Sequence, residues 1–316
     1  MSLGFDTLED LNFVLIHRII NALVTRKILK LNVDGFINFK GMLVGNPWVD
    51  PGSNMLTRFS ALYSHGLVAK PVYDTFLKVC TGADAYDPSN ECEQVMEMIY
   101  TTMSTGINPY ALDYPMCTPG YLDDSELLRR VHSPSSQVWH MLKKSNSGPP
   151  FLPPQDDYKP CAENYFTAYM NRHDVQAALH VKSGVNWGPC TDDVKYSNDD
   201  YLSTVVNLYR DLIHDGVKGV HNLTMLIMSG DDDAVCALEG TQDWIYDLGV
   251  EAKIGGLWNP WYAASEVAGY VTKFDLGSRT KATFTLVTVH GSGHEVPAYR
   301  PMEGLELFKI FLGGEW

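Results

Sequence analysis

The chain has 316 residues, of which 45% are hydrophobic and 20% charged, and its formal net charge at pH 7 is −14. That length suffices for one large domain, or for a core domain carrying a substantial insertion, and the composition is globular rather than disordered. The acidic balance argues against a nucleic-acid partner, because nothing here neutralises phosphates, and it is compatible with an acidic compartment.

In chain order, Met1 to Asp10 is acidic, and residues 11–31, LNFVLIHRIINALVTRKILKL, mix apolar side chains with His17, Arg18, Arg26 and Lys27. This predicts an amphipathic or buried helix, and neither a signal peptide nor a membrane span. FKGMLVG (39–45) reads as a strand running into a Pro/Asp/Gly loop. From 57 to 172 the pattern changes to helical pieces such as VYDTFLKVC and CEQVMEMIYTTM, separated by polar and Pro-rich breaks including SNSGPPFLPPQDDYKPC. A mostly helical insertion over 57–172 is expected, leaving 1–56 and 173–316 as the core.

The core pattern returns with HDVQAALHV, a helix start with Asp174 in its first turn, where an acid favours the helix dipole. YLSTVVNLYRDLIHDG is an amphipathic helix with Gly216 as the expected stop. NLTMLIMSGDDDAV follows as an apolar strand, then Gly230 and three aspartates. TQDWIYDLG is helical, and KIGGLWNPWYAASEVAGYVTKFD is an aromatic hairpin-like segment. FTLVTV (284–289) has the β-branched and aromatic content of a strand buried on both faces. It stops at Gly291-Ser292-Gly293, His294 stands at the tip of that turn, and EGLELFKIFL closes the chain as a helix. The order is that of the tail of a doubly wound α/β sheet, without internal repeats.

In such sheets ligands bind outside the carboxyl ends of the strands. Two strands here end in reactive loops, one acidic and one carrying a histidine. An acid there can hold an imidazole in one tautomer and stabilise its charged form. Asp233, three residues after Gly230, is favoured for that role over Asp231 and Asp232. A solvated acidic loop or a weak cation site is the other reading of the three aspartates. Acid followed by histidine, both near the C-terminus, matches the later part of the α/β-hydrolase order of nucleophile, acid and histidine. The GxSxG elbow that should precede them is absent, and Gly291-Ser292-Gly293 lacks its spacing.

There are six cysteines and no CxxC pair, so no zinc site is expected. Cys80 and Cys92 bracket the loop TGADAYDPSNE as a disulfide would, which points to an oxidising compartment. The sequon Asn222-Leu223-Thr224 points the same way.

SGDDDAVC, WNPWY followed by VAGYV, and GSGHEVPAYRP together resemble the serine carboxypeptidases of the α/β-hydrolase superfamily. KGMLVGNPWVDP and NRHDVQAALHV resemble the same family, so the likeness runs from about residue 11 to the end. It implies an α/β-hydrolase fold with Asp233 and His294 as triad acid and base. It also places Glu295 at a position that helps bind substrate near the scissile bond, and Cys236 at that of a thiol beside the substrate pocket. Cys117 would pair with Cys161, and Cys190 matches a cysteine whose partner lies in a segment not found here. The family motifs GESYAG and WNGGPGCSS are also missing, and MSLGFDTL stands where the first would precede the helix. The expectation is therefore an N-terminally truncated relative with an incomplete sheet, FKGMLVG lacking its outer neighbours, poorly stable and inactive by itself. The resemblance implies release of C-terminal residues from peptides through an acyl-enzyme, with peptide or protein C-termini as substrates. No metal, cofactor, nucleic acid or membrane partner is implied; a homodimer is compatible, and the location would be secreted or lysosomal/vacuolar. The alternatives are a family acyltransferase, or a non-catalytic binding or regulatory protein on the same scaffold.

Overall fold

The computed structural model describes residues 11–14, 20–32, 35–85, 87–103, 106–117, 158, 160–182, 184–188, 203–278 and 280–313. The chain divides into two compact units, Met1–Asp113 with Tyr196–Trp316, and Tyr114–Lys195. Met1 to Leu8, Cys190 and most of the Pro-rich loop lie outside the described residues.

The first unit is built on a six-stranded sheet in the order β1-β2-β3-β6-β5-β4. Its strands are β1 (Leu11–Val14), β2 (Phe39–Gly45), β3 (Thr224–Gly230), β4 (Asn259–Ala263), β5 (Glu266–Lys273) and β6 (Thr283–Val289). β1, β2, β3 and β6 run parallel, while β5 and β4 continue the sheet antiparallel as the expected aromatic hairpin. Successive residues of a strand face opposite sides of its sheet. Met42, Val44, Met225, Ile227, Phe284 and Leu286 therefore fall in one apolar cluster, and Leu43, Leu226, Met228, Val287 and Val289 in another.

Helices cover both faces. The first cluster takes Ala22 of α1 (Ile20–Leu31), further on Tyr209, Leu212 and Ile213, and then Trp244 and Ile245. The second takes Leu307 and Phe311 near the C-terminus. With both faces buried, β3 and β6 carry apolar residues and small hydroxyl or glycine residues but no charge, which is why neither alternates with charged positions. A third cluster joins α2 (Pro51–Ser64), α3 (Lys70–Val79) and α4 (Asn90–Met103) through Phe59, Leu62, Phe76, Val95 and Ile99. The disulfide Cys80–Cys92 closes the loop between α3 and α4. α2 starts where Asp50 Oδ2 accepts from the Ser53 amide and Pro51 needs no donor of its own.

Three expectations need correcting. Residues 11–31 are not one helix: Leu11–Val14 pairs with β2 and only Ile20–Leu31 is helical. FKGMLVG is accordingly not left as the sheet edge, since β1 lies beside it. A short apolar run reads alike as strand or buried helix, and the period could not separate them.

Nor does Gly216 stop its helix. In the second half of the unit come α7 (Val206–Val217), α8 (Leu238–Tyr246), α9 (Val296–Tyr299) and α10 (Pro301–Gly313), and Gly216 lies inside α7. The stop is Gly219 at φ +73°, a left-handed conformation that suits glycine. Gly216 is small for a different reason, since a Cβ there would stand 3.0 Å from that of Ala282.

The second unit holds α5 (Ala162–Met170) and α6 (His173–Ala178), tied by the disulfide Cys117–Cys161. The Asn171 amide donates to the carbonyls of Thr167 and Trp187, and its Oδ1 accepts from the Trp187 amide.

Candidate active site

Because β2, β3 and β6 are parallel, their carboxyl ends open on one edge. Three loops leave there: Asn46 after β2, Asp231–Asp233 after β3, and His290–His294 after β6. The last two are stitched by Asp232 N–H donating to Ser292 O at 2.9 Å and Asp231 N–H to Val289 O at 3.3 Å. Gly230 permits this approach, because a Cβ on it would overlap the carbonyl oxygens of Ser292 and Gly293.

Each of the three aspartates meets a different histidine. Asp231 Oδ2 lies 2.6 Å from Nδ1 of the exposed His290, and its Oδ1 accepts from the Gly291 amide. Asp232 faces His65, which caps the C-terminus of α2, with Oδ1 3.5 Å from Nε2. Asp233 Oδ2 lies 2.7 Å from Nδ1 of His294. Only the last pair is buried on both sides, with side chains 0% and 10% exposed.

The remaining oxygen of Asp233 accepts from the Val235 amide at 2.7 Å, and Asn46 Nδ2 donates to Oδ2 at 2.9 Å. The carboxylate is thus held by three donors and cannot rotate away. His294 Nδ1 acts as the donor to it, so in the neutral imidazole Nε2 carries the lone pair. That is the arrangement a general base requires.

His65 has its Nδ1 2.8 Å from Ala61 O, which fixes that nitrogen as a donor. Its Nε2 can attract Asp232 only when a proton sits on the nitrogen or on the carboxylate. Burial pushes the Asp232 carboxyl up to about 6, opposed by the Asp113 amide that donates to it and aided by the charges of Asp113 and Asp231.

A strap from Asn108 to Asp113 locks both loops. Ala234 N–H donates to Pro109 O, His294 N–H to Tyr110 O at 2.7 Å, and Leu112 N–H to Asp232 O. The Tyr110 ring stands edge-on to His294 at 5.4 Å, and Gly293 leaves room for the Tyr110 carbonyl. Sequence reasoning missed this strap, and nothing in its composition marks it. Asn46 was missed too, though it stands in the KGMLVGNPWVDP stretch; its φ of +38° at a strand end is unusual for a non-glycine residue.

Cys236 is buried, with no disulfide. Its Sγ, a ring nitrogen of His294 and a carboxylate oxygen of Asp233 lie within 4.8 Å of one another. Such a trio has the donor set of a soft divalent ion, but both Asp233 oxygens already accept hydrogen bonds. Glu295 follows directly and is exposed, its carbonyl accepting from the Ala298 and Tyr299 amides at the start of α9.

The family model for serine carboxypeptidases matches residues 19–314. Among curated relatives, serine carboxypeptidase-like 25 of Arabidopsis thaliana is 30% identical over 88% of this chain and 55% of its own length. P-(S)-hydroxymandelonitrile lyase of Sorghum bicolor is 31% identical over 90% of this chain and 51% of its own length. The chain thus spans about half the length of these relatives. Among solved structures, the prohormone-processing carboxypeptidase Kex1Δp of Saccharomyces cerevisiae superposes with a TM-score of 0.59 at 17% identity, covering 95% of this chain and 62% of that one.

Proposed function

This chain belongs to the serine carboxypeptidase family, and on that premise we propose that it supplies the acid and base of a peptidase acting on peptide or protein C-termini. His294 takes the proton from a serine hydroxyl as that oxygen attacks the scissile carbonyl, and returns it to the leaving amine. Asp233 holds the imidazole in the required tautomer and stabilises the imidazolium that forms. Water then attacks the acyl-enzyme, again with His294 as base. The observation that carries this reading is the buried Asp233–His294 contact at 2.7 Å, on loops that follow parallel neighbouring strands.

The serine is proposed to lie outside these 316 residues. No GxSxG stands in the sequence, and the hydroxyl in the histidine loop, that of Ser292, is buried and donates to Gly293 O. The 316 residues by themselves are accordingly proposed to be inactive, with Glu295 and Cys236 contributing to the substrate side of the site. The two disulfides support an oxidising location, secreted or lysosomal/vacuolar. Among the described residues, no helix is long and apolar enough to cross a membrane.

The test compares these 316 residues with the intact gene product in fluorophosphonate labelling and in hydrolysis of a blocked dipeptide. The intact product should label and release the C-terminal residue, and the 316-residue chain should do neither. Labelling of the short chain would place the nucleophile within it, and an intact product that cleaves nothing would overturn the peptidase reading.

A further inference from the structure

We propose that a pocket beside the Asp233–His294 pair receives an acidic side chain of the substrate, with Arg58 as the group that binds its carboxylate. The proposal rests on the peptidase reading above and narrows its substrate class. A cavity of about 310 Å³ is lined by Arg58, Tyr100, Ile107, Pro109, Tyr110 and Val235. That volume lies at the lower end of the ~300–1,000 Å³ usual for small-ligand sites.

Two of the walls are shared with the acid–base pair. Val235 is the residue whose amide holds Asp233 Oδ1, and Tyr110 is the ring packed edge-on against His294. An occupant of the cavity therefore sits next to the bond on which His294 would act.

The polarity of the cavity is divided. Ile107, Pro109, Val235 and the Tyr110 ring form apolar walls, and the guanidinium of Arg58 supplies the cation. Arg58 projects from α2 toward the acid loop, its Nε donating to Ala234 O at 3.3 Å and its Nη1 to the Tyr100 hydroxyl at 2.8 Å. These two bonds hold the guanidinium plane and leave three of its five N–H donors for a ligand. Among the described residues, arginine ion pairs form between Arg26 and Asp211 and between Arg172 and Asp174, but no carboxylate reaches Arg58. In a chain with 38 acidic against 24 basic residues, a half-buried arginine left without an acid suits one that the ligand provides. A short methylene stem ending in a carboxylate, as in glutamate, matches apolar walls with a fixed planar donor.

The test measures dissociation constants by calorimetry on the intact gene product, with three ligands that each contain a single amino acid. N-acetyl-glutamate amide carries only a side-chain carboxylate, N-acetyl-glutamine amide carries none, and N-acetyl-glutamine carries only a terminal one. A charge-assisted pair predicts that the first binds about tenfold or more tighter than the second. R58Q should abolish that preference, and R58K should keep part of it. Equal binding of the first two ligands by the unmodified protein, or a preference that survives in R58Q, overturns the proposal. So does an Arg58-dependent preference for N-acetyl-glutamine alone, which would assign the arginine to the chain terminus. Because the readout is binding rather than turnover, a protein that prefers the glutamate amide but hydrolyses nothing would lose only the peptidase reading.

Discussion

Asp233 Oδ2 stands 2.7 Å from Nδ1 of His294 although 61 residues separate them in sequence. The two are brought together because β3 and β6 pair in parallel along their whole length, from Thr224 with Thr283 to Gly230 with Val289. The loops that leave Gly230 and Val289 therefore start side by side.

Asn46 should matter to the chemistry although it touches neither substrate nor His294. It donates to Asp233 Oδ2 and accepts from the Gly230 amide. N46A leaves that carboxylate oxygen with one donor fewer, and losing a hydrogen bond to a charged group lowers kcat/KM by roughly tenfold to a hundredfold. The loss should fall on kcat with little change in KM. An N46A enzyme with the original kcat would deny Asn46 this positioning role.

Asp232 should make the fold more stable in acid than near neutral pH. Burial raises its carboxyl to about 6, so the neutral acid is the form the folded chain favours. Its contribution is complete below about pH 4, the ordinary value for an aspartate, and is lost as pH rises through about 6. The groups facing it, His65, Asp113 and Asp231, modify this direction without reversing it. Urea midpoints of the unmodified protein and D232N should diverge between about pH 4 and 6 in favour of the variant and stay apart above that. Curves that stay parallel from pH 4 to 7 would show that Asp232 does not titrate in this way.

Much of the site was legible in the sequence, and the reasons are physical. β3 and β6 are buried on both faces, so they stand out as strands free of charge, and the candidate residues Asp233 and His294 follow within five positions of each strand end. The choice of Asp233 among three aspartates had a weaker basis, since each of them finds a histidine in the structure. Their partners are set by the pairing of loops, which no local spacing records. β1 was hidden because the four residues LNFV carry too little period to be told from a helix. The strap around Tyr110 was hidden because it acts through backbone carbonyls, which every residue has.

Gly230 should tolerate no side chain. A Cβ there overlaps the backbone of Ser292 and Gly293, which cannot retreat without breaking the bond from Asp232 N–H to Ser292 O. G230A should cost about 1–3 kcal/mol, as overpacking generally does, and should separate Asp233 from His294. Denaturation midpoints and kcat together check this. A G230A protein as stable and as active as the original would mean that the two loops are not held in this register.

Cys236 should report on the site chemically. Its thiol lies near His294 but is only 2% exposed, so a small reagent such as iodoacetamide should react slowly in the native state and rapidly in urea. Native modification should reduce turnover in step with labelling, and C236A should be active and insensitive. Stoichiometric labelling of Cys236 with unchanged turnover would remove it from the pocket.

The most direct measurement is kcat/KM of D233N in the intact gene product on a blocked dipeptide. The asparagine keeps the shape of the carboxylate but can turn its amide toward His294, favouring the wrong tautomer, with Nε2 protonated. The account predicts a loss of about 10⁴-fold, carried by kcat. A D233N enzyme within tenfold of the original would contradict the assignment of Asp233 and His294 as acid and base.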